Sequence, residues 1–160
     1  MFGSCLVQER AHPALSVAIG RDPDAFVFLG DNVYADSEDP AAITRAYETL
    51  AASKRFRELR ATTRVVATWD DHDYGGNDAG RGFAAREASE AIFEEFWDVS
   101  DVARERPGIY RAVELGPVGR RVQIILLDTR YFRSPLERAH PRPEGKGPYV
   151  PRADSERASD

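Results

Sequence analysis

The chain has 160 residues, 42% of them apolar and 31% charged, with a formal net charge of −5, which suits one domain with a hydrophobic core and is too short for two of ordinary size. Interspersed charges of both signs exclude a fibrous or wholly disordered chain, and scattered arginines in an acidic background argue against a nucleic-acid partner, because phosphate contacts need clustered Lys and Arg. No apolar run approaches the ~20 residues that span a bilayer, and Met1-Phe2-Gly3-Ser4-Cys5 does not read as a signal peptide, so no localisation is encoded.

In chain order, a short strand is expected over residues 2–5 with no flanking structure before it, as in a truncated chain. Leu15, Ala18 and Ile19 fall at helical spacing and Gly20 supplies a stop. Ala25-Phe26-Val27-Phe28-Leu29 is a continuous apolar run, as in a strand covered on both faces. Asp39 as N-cap and Pro40 in the first turn open a helix with Ile43, Ala46, Tyr47 and Leu50 at i, i+3, i+4 and i+7, and Phe56 and Leu59 imply a further helical turn. Residues 64–69 form a second buried strand, followed by a Gly-rich loop from Gly75 to Gly82. Residues 84–97 form a helix with Ala85, Ala88, Ile92 and Phe96 on one stripe, widened by Phe93 and Trp97, while Arg86, Glu87, Glu90 and Glu94 lie mostly elsewhere. Residues 109–115 and 121–127 make a hairpin across a turn with two glycines and a proline. From Ser134 onward a Pro-, Arg-, Gly- and Glu-rich stretch without periodicity reads as a long loop or frayed tail. The domain is therefore expected over residues 1–133 and the tail over 134–160.

The strand candidates end in residues able to hold a metal or a proton: Cys5, then Asp31 with Tyr34, then Asp70-Asp71-His72-Asp73. In open α/β sheets, ligands bind beyond the carboxyl ends of strands. Gly30 lets the backbone approach closely, and Asp31 and Tyr34 could converge on one ion, or could be a turn residue and a core aromatic. Three carboxylates and an imidazole in four residues repel one another unless a cation neutralises them; the alternative is a solvated acidic turn. Asn77 and Asp78 could add oxygen ligands or merely form turns. Arg130 could grip a phosphate bidentately or pair locally with Asp128. The one cysteine excludes an internal disulfide, and on composition alone an inert buried thiol is the commoner outcome. His12 and His140 read as solvated.

Together, Phe2-Gly3-Ser4-Cys5, Leu29-Gly30-Asp31-Asn32-Val33-Tyr34-Ala35-Asp36, Thr68-Trp69-Asp70-Asp71-His72-Asp73-Tyr74-Gly75-Gly76-Asn77-Asp78 and Leu127-Asp128-Thr129-Arg130-Tyr131 resemble, in that order, the alkaline phosphatase D (PhoD-like) family of the metallophosphoesterase superfamily, over residues 2 to about 133. The Gly-Asp-x-x-Tyr element is also similar to that of purple acid phosphatases. The resemblance implies a partial α/β/β/α sandwich and, for the complete enzyme, hydrolysis of phosphomonoesters or phosphodiesters by a metal-bound hydroxide. It implies Fe3+ and Ca2+ as cofactors, with Asp31 bridging the metals, Cys5 and Tyr34 on iron, and Asp71 or Asn77 on the second metal. His72 and Arg130 are then the catalytic candidates, and Asp70 and Asp73 face the substrate. Family members are commonly exported. The family's later Gly-Asp-x-His element has no counterpart before Asp160, so the C-terminal half of the site is expected to be absent. The alternatives are a non-catalytic truncated fragment or binding remnant of that fold, and a generic α/β domain whose acidic loops are structural.

Overall fold

The structure is a computed structural model that describes residues 1–100, 104–141 and 149–151. Three parallel strands, β1 (Phe2–Gly3), β2 (Ala25–Leu29) and β3 (Arg64–Thr68), form a sheet in the order β1-β2-β3. Phe2 lies opposite Val27, and Val27 opposite Val66. Parallel neighbours require crossovers, and helices supply them: α1 (Pro13–Gly20) joins β1 to β2, while α2 (Pro40–Ala52) and α3 (Lys54–Thr62) join β2 to β3. A one-turn α4 (Asp71–Tyr74) and the longer α5 (Arg86–Phe96) follow, then an antiparallel hairpin of β4 (Arg111–Leu115) and β5 (Val122–Leu126), and a short pair of β6 (Leu136–Arg138) and β7 (Tyr149–Pro151).

Local chemistry explains most of these boundaries. Asp39 caps α2, its Oδ1 accepting from Ala41 N at 3.0 Å, with Pro40 in the first turn where its missing N–H costs nothing. The expected stripe of Ile43, Ala46, Tyr47 and Leu50 is the buried face of α2. Ser53 leaves helical geometry and its hydroxyl accepts from Phe56 N, so the expected extra turn is a separate helix carrying Phe56 and Leu59 into the core. Phe28 of β2 meets Phe56 and Trp97 at ring-centroid distances of 5.9 and 5.1 Å, and Trp69 meets Phe93 at 5.3 Å. Tilted and edge-on pairs of this kind add to simple area burial.

Several expectations are corrected. On α5 the fully buried positions are Ser89, Phe93 and Glu94, while Ile92 and Phe96 are only partly covered; the stripe is rotated toward the 89–93–97 row. Ser89 is tolerated there because its hydroxyl bonds back to Ala85 O at 3.1 Å. Glu94 is buried beside the favourable charges of Arg104, Arg111 and Arg106. His12 is not solvated: it is buried, with Nε2 2.8 Å from Val7 O and Nδ1 3.1 Å from Ser53 Oγ, so it joins the start of α1 to the start of α3. His140 is exposed. The expected tail contains the β6-β7 pair; the rest of it, residues 142–148 and 152–160, lies outside the described residues. Leu29, at the end of the run expected to be covered on both faces, is 46% exposed. Ile125 and Leu127, which share one face of the hairpin, are exposed, and so is Val122 on its other face. Among the described residues no helix is long and apolar enough to cross a membrane.

The core rests on α2 as much as on the sheet. Leu50→Ala empties a fully buried position and should lower unfolding free energy by about 2–5 kcal/mol, measured by urea denaturation, with an unchanged circular-dichroism spectrum at low urea.

Candidate metal centre

The carboxyl ends of β1, β2 and β3 converge, and the chain after each strand is held by backbone geometry before any side chain acts. Cys5 N donates to Gly30 O at 3.2 Å and Leu6 N to Asp31 O at 2.7 Å, so the chain after β1 runs against the loop after β2. Gly30 has φ +107°, and a Cβ there would lie 2.6 Å from Asp70 Cβ and 2.7 Å from Asp70 N; only glycine lets the two loops touch. Cys5, Asp31, Asp36 and Asp78 all adopt positive φ, between 45° and 60°, a conformation uncommon outside glycine that concentrates at functional sites.

Asp73 stitches the loops together. Its side chain is fully buried, and its oxygens accept from Asp31 N at 2.7 Å, Asn32 N at 2.6 Å and Asp70 N at 2.8 Å. Burial raises its pKa to about 7 against the pull of those N–H groups. Asp73 is therefore a scaffold residue and not the substrate contact expected from sequence, since no solvent-facing oxygen remains.

On that scaffold, ligand atoms of Asp31, Asp71 and His72 lie within 4.8 Å of one another. Asp31 Oδ2 is also approached by Cys5 Sγ at 3.6 Å and by Tyr34 Oη at 3.4 Å, so thiol, phenol and carboxylate meet at one point. Asp31 Oδ1 is buried without a hydrogen-bond partner, an arrangement that costs free energy unless a cation takes up the lone pairs. Burial, and then the neighbouring Asp71 carboxylate, push the Asp31 pKa up. Burial and the Asp31 charge likewise raise Tyr34. These features fit a metal bound between Asp31 and its neighbours. The thiol is exposed, which removes the inert buried reading of Cys5.

Arg130, from the segment after β5, is brought in by the hairpin. Thr68 Oγ1 donates to Leu127 O at 2.8 Å, and Trp69 Nε1 donates to Asp128 Oδ1 at 2.9 Å. Asp128 also accepts from Arg130 N and Tyr131 N, so it shapes the turn and is not the ion partner of Arg130. That partner is Asp70, with Nε to Oδ1 at 2.5 Å, and beyond it Asp71, with Nη2 to Oδ1 at 3.5 Å. Arg130 Nη1 is buried without a partner. Burial opposes ionisation of Asp71, but the Asp78 N–H and Arg130 outweigh it and its pKa falls.

His72 Nδ1 lies 2.6 Å from Asp36 Oδ1, and the Tyr34 ring packs on the imidazole at 4.3 Å. Burial lowers the His72 pKa, but the Asp36 bond and charge dominate and raise it. Asp36 has no role in the sequence reading; only the fold brings it to a histidine 36 positions away. Asn77 is exposed and its Nδ2 donates to Asp78 Oδ2 at 3.1 Å.

The sequence matches the family described as PhoD-like phosphatase over residues 4–158. The chain belongs to that family. A solved structure titled "Structure of PhoD" is similar, with a TM-score of 0.66 and 17% identity over 84% of this chain. The chain spans 32% of that structure's length. No curated protein sequence matches significantly. The PhoD-like match extends past residue 133, so the likeness is broader than the four motifs suggested.

Removing the Asp73 carboxylate leaves three backbone N–H groups without their acceptor, while the relieved repulsion from Asp31 offsets part of that loss. Asp73→Ala should cost at least about 2 kcal/mol, read by chemical denaturation, and should quench protection of the Asp31 and Asn32 amides in hydrogen exchange.

Proposed function

We propose that the chain carries the N-terminal part of the metal-dependent site of a phosphoesterase that hydrolyses phosphomonoesters or phosphodiesters. The observation that carries this reading is the orphaned Asp31 Oδ1 beside Asp71 and His72, in a chain of the PhoD-like family. Cys5, Asp31 and Tyr34 would hold a ferric ion, to which phenolate, thiolate and carboxylate are suited, while Asp71 and Asn77 would offer hard oxygen donors to calcium. When bound, such metals activate water and offset charge on phosphate oxygens.

The chain's own side chains supply the rest. Arg130, its Nε held by Asp70 and its Nη1 uncommitted, is suited to a phosphate oxygen. His72 is placed to hydrogen-bond the phosphate or hand a proton to the leaving oxygen. Asp70 serves the substrate indirectly, by orienting Arg130. The parent fold would be an α/β/β/α sandwich of which residues 1–133 supply one part, with the uncovered apolar face of the hairpin where further structure packs.

One observation favours a second reading, a non-catalytic remnant. Arg130 already sits against Asp70 and Asp71, so much of the carboxylate repulsion is relieved without a metal. Metal analysis after loading the 160-residue chain with Fe3+ and Ca2+, followed by assay on a phosphomonoester and a phosphodiester, separates the two: no metal with no turnover favours the remnant. On the first reading, Asp31→Ala should lose at least ten-fold in metal content, since the residue touches both Cys5 and Tyr34, with the fold retained by far-UV circular dichroism. Full occupancy in that variant would overturn the assignment.

A further inference from the structure

We infer that the cleft between β3 and β4 is a binding site for a small phosphate-bearing anion, separate from the cluster of Asp31, Asp71 and His72. The cleft is a cavity of about 710 Å³ lined by four arginines, Arg60, Arg64, Arg106 and Arg111, in a chain whose net charge is −5. They arrive from the end of α3, the start of β3, the segment before β4 and the first residue of β4.

The positive charge there is not cancelled locally. Of the carboxylates that line the cavity, Asp98 is paired with Arg60 and Glu114 with Arg121. Among the described residues, no carboxylate lies within ion-pair distance of Arg64, Arg106 or Arg111. Arg111 carries the argument furthest. Its Nη2 donates to Ala67 O at 2.9 Å and its Nη1 to Ile109 O at 3.4 Å, so the fork is fixed between β3 and the segment before β4. Carbonyl oxygens satisfy two of its five N–H donors but leave its charge without a counter-ion. Burial lowers its pKa, opposed by the more distant charge of Glu94. A partly buried cation in this state gains from an anion brought to it.

The surroundings suit a phosphate group. A guanidinium matches phosphate oxygens bidentately, and that of Arg106 is held in place by Tyr110, 4.2 Å from the ring centroid and donating to Tyr110 O. Arg64 is exposed and is able to swing toward a ligand. The cavity runs between two strand edges, because β3 pairs only with β2 and β4 only with β5 among the described residues, and unpaired edge N–H groups add donors for an anion. Its volume falls in the range of small-ligand pockets, with room for more than one phosphoryl group. Arg64 opens β3, whereas Asp71 and His72 lie beyond its end in α4, and neither they nor Asp31 line the cavity. The inference therefore rests on no metal and stands apart from the phosphoesterase reading.

The test is a titration of the metal-free, 15N-labelled 160-residue chain with inorganic pyrophosphate, followed by NMR at constant ionic strength, with sodium chloride as the control. Saturable shifts are expected at the Arg111 Nε–H and at the amides of Val65, Val66 and Ala112. Arg64→Glu reverses an exposed charge and should weaken binding about three-fold or more, while Arg111→Gln removes the fixed fork and should weaken it at least ten-fold. Arg111 also bridges β4 to β3, so a glutamine variant that fails to fold leaves the decision to Arg64→Glu. The inference is overturned if no shift saturates beyond the chloride control, if the saturating shifts fall at Asp31, Asp71 and His72 and spare the cavity, or if Arg64→Glu binds as tightly as the wild type. Failure of the chain to load Fe3+ or Ca2+ would count against the phosphoesterase reading alone.

Discussion

The carboxylate of Asp73 is the constraint on which the rest of the site depends. By accepting from the amides of Asp31, Asn32 and Asp70, it ties the chain after β2 to the chain after β3 at the level where both leave the sheet. Secondary structure cannot satisfy those N–H groups, because the strands have ended and α4 has barely begun. A buried acceptor with two oxygens and about four lone-pair sites is one of few side chains able to serve three donors at once. Asp128 performs the related task under the hairpin, collecting Trp69 Nε1, Ile109 N, Arg130 N and Tyr131 N. The groups gathered at the cluster, Asp31, Asp71, His72 and Arg130, are thus mounted on turns whose backbones are fixed by other carboxylates.

This division explains what was legible in the sequence. The parallel strands and α2 were readable because apolar runs, the Asp39 cap and the Pro40 start are local signals, each acting within a few residues. The cluster of acids at strand ends was readable for the same reason. Which acid faces outward was not, because it depends on donors from another loop: in the run Asp70-Asp71-His72-Asp73, nothing local distinguishes the fully buried Asp73 from the more exposed Asp70.

Long-range partners account for the other misreadings. His12 looks solvated beside Pro13, yet Ser53 and Val7 satisfy both its nitrogens inside the protein. Arg130 invites pairing with Asp128, two residues away, but that carboxylate is saturated by N–H donors and the guanidinium reaches Asp70 instead. Asp36 lies just after the Gly-Asp-x-x-Tyr element and gains a partner only when the fold carries it to His72. On α5, Glu94 reads as lying mostly off the apolar stripe, yet it is buried, and burial holds its pKa up against the charges of Arg104, Arg111 and Arg106.

The balance of charge at the cluster has a kinetic consequence. Asp31 senses both Asp71 and Asp70 against His72, and the guanidinium of Arg130 is held between the two aspartates. A phosphate ester drifting toward this surface meets a local excess of negative potential, whereas a cation is drawn in by it. If the site works as proposed, arrival is ordered: cations load before an anionic ester can dwell, and raising ionic strength would slow that loading.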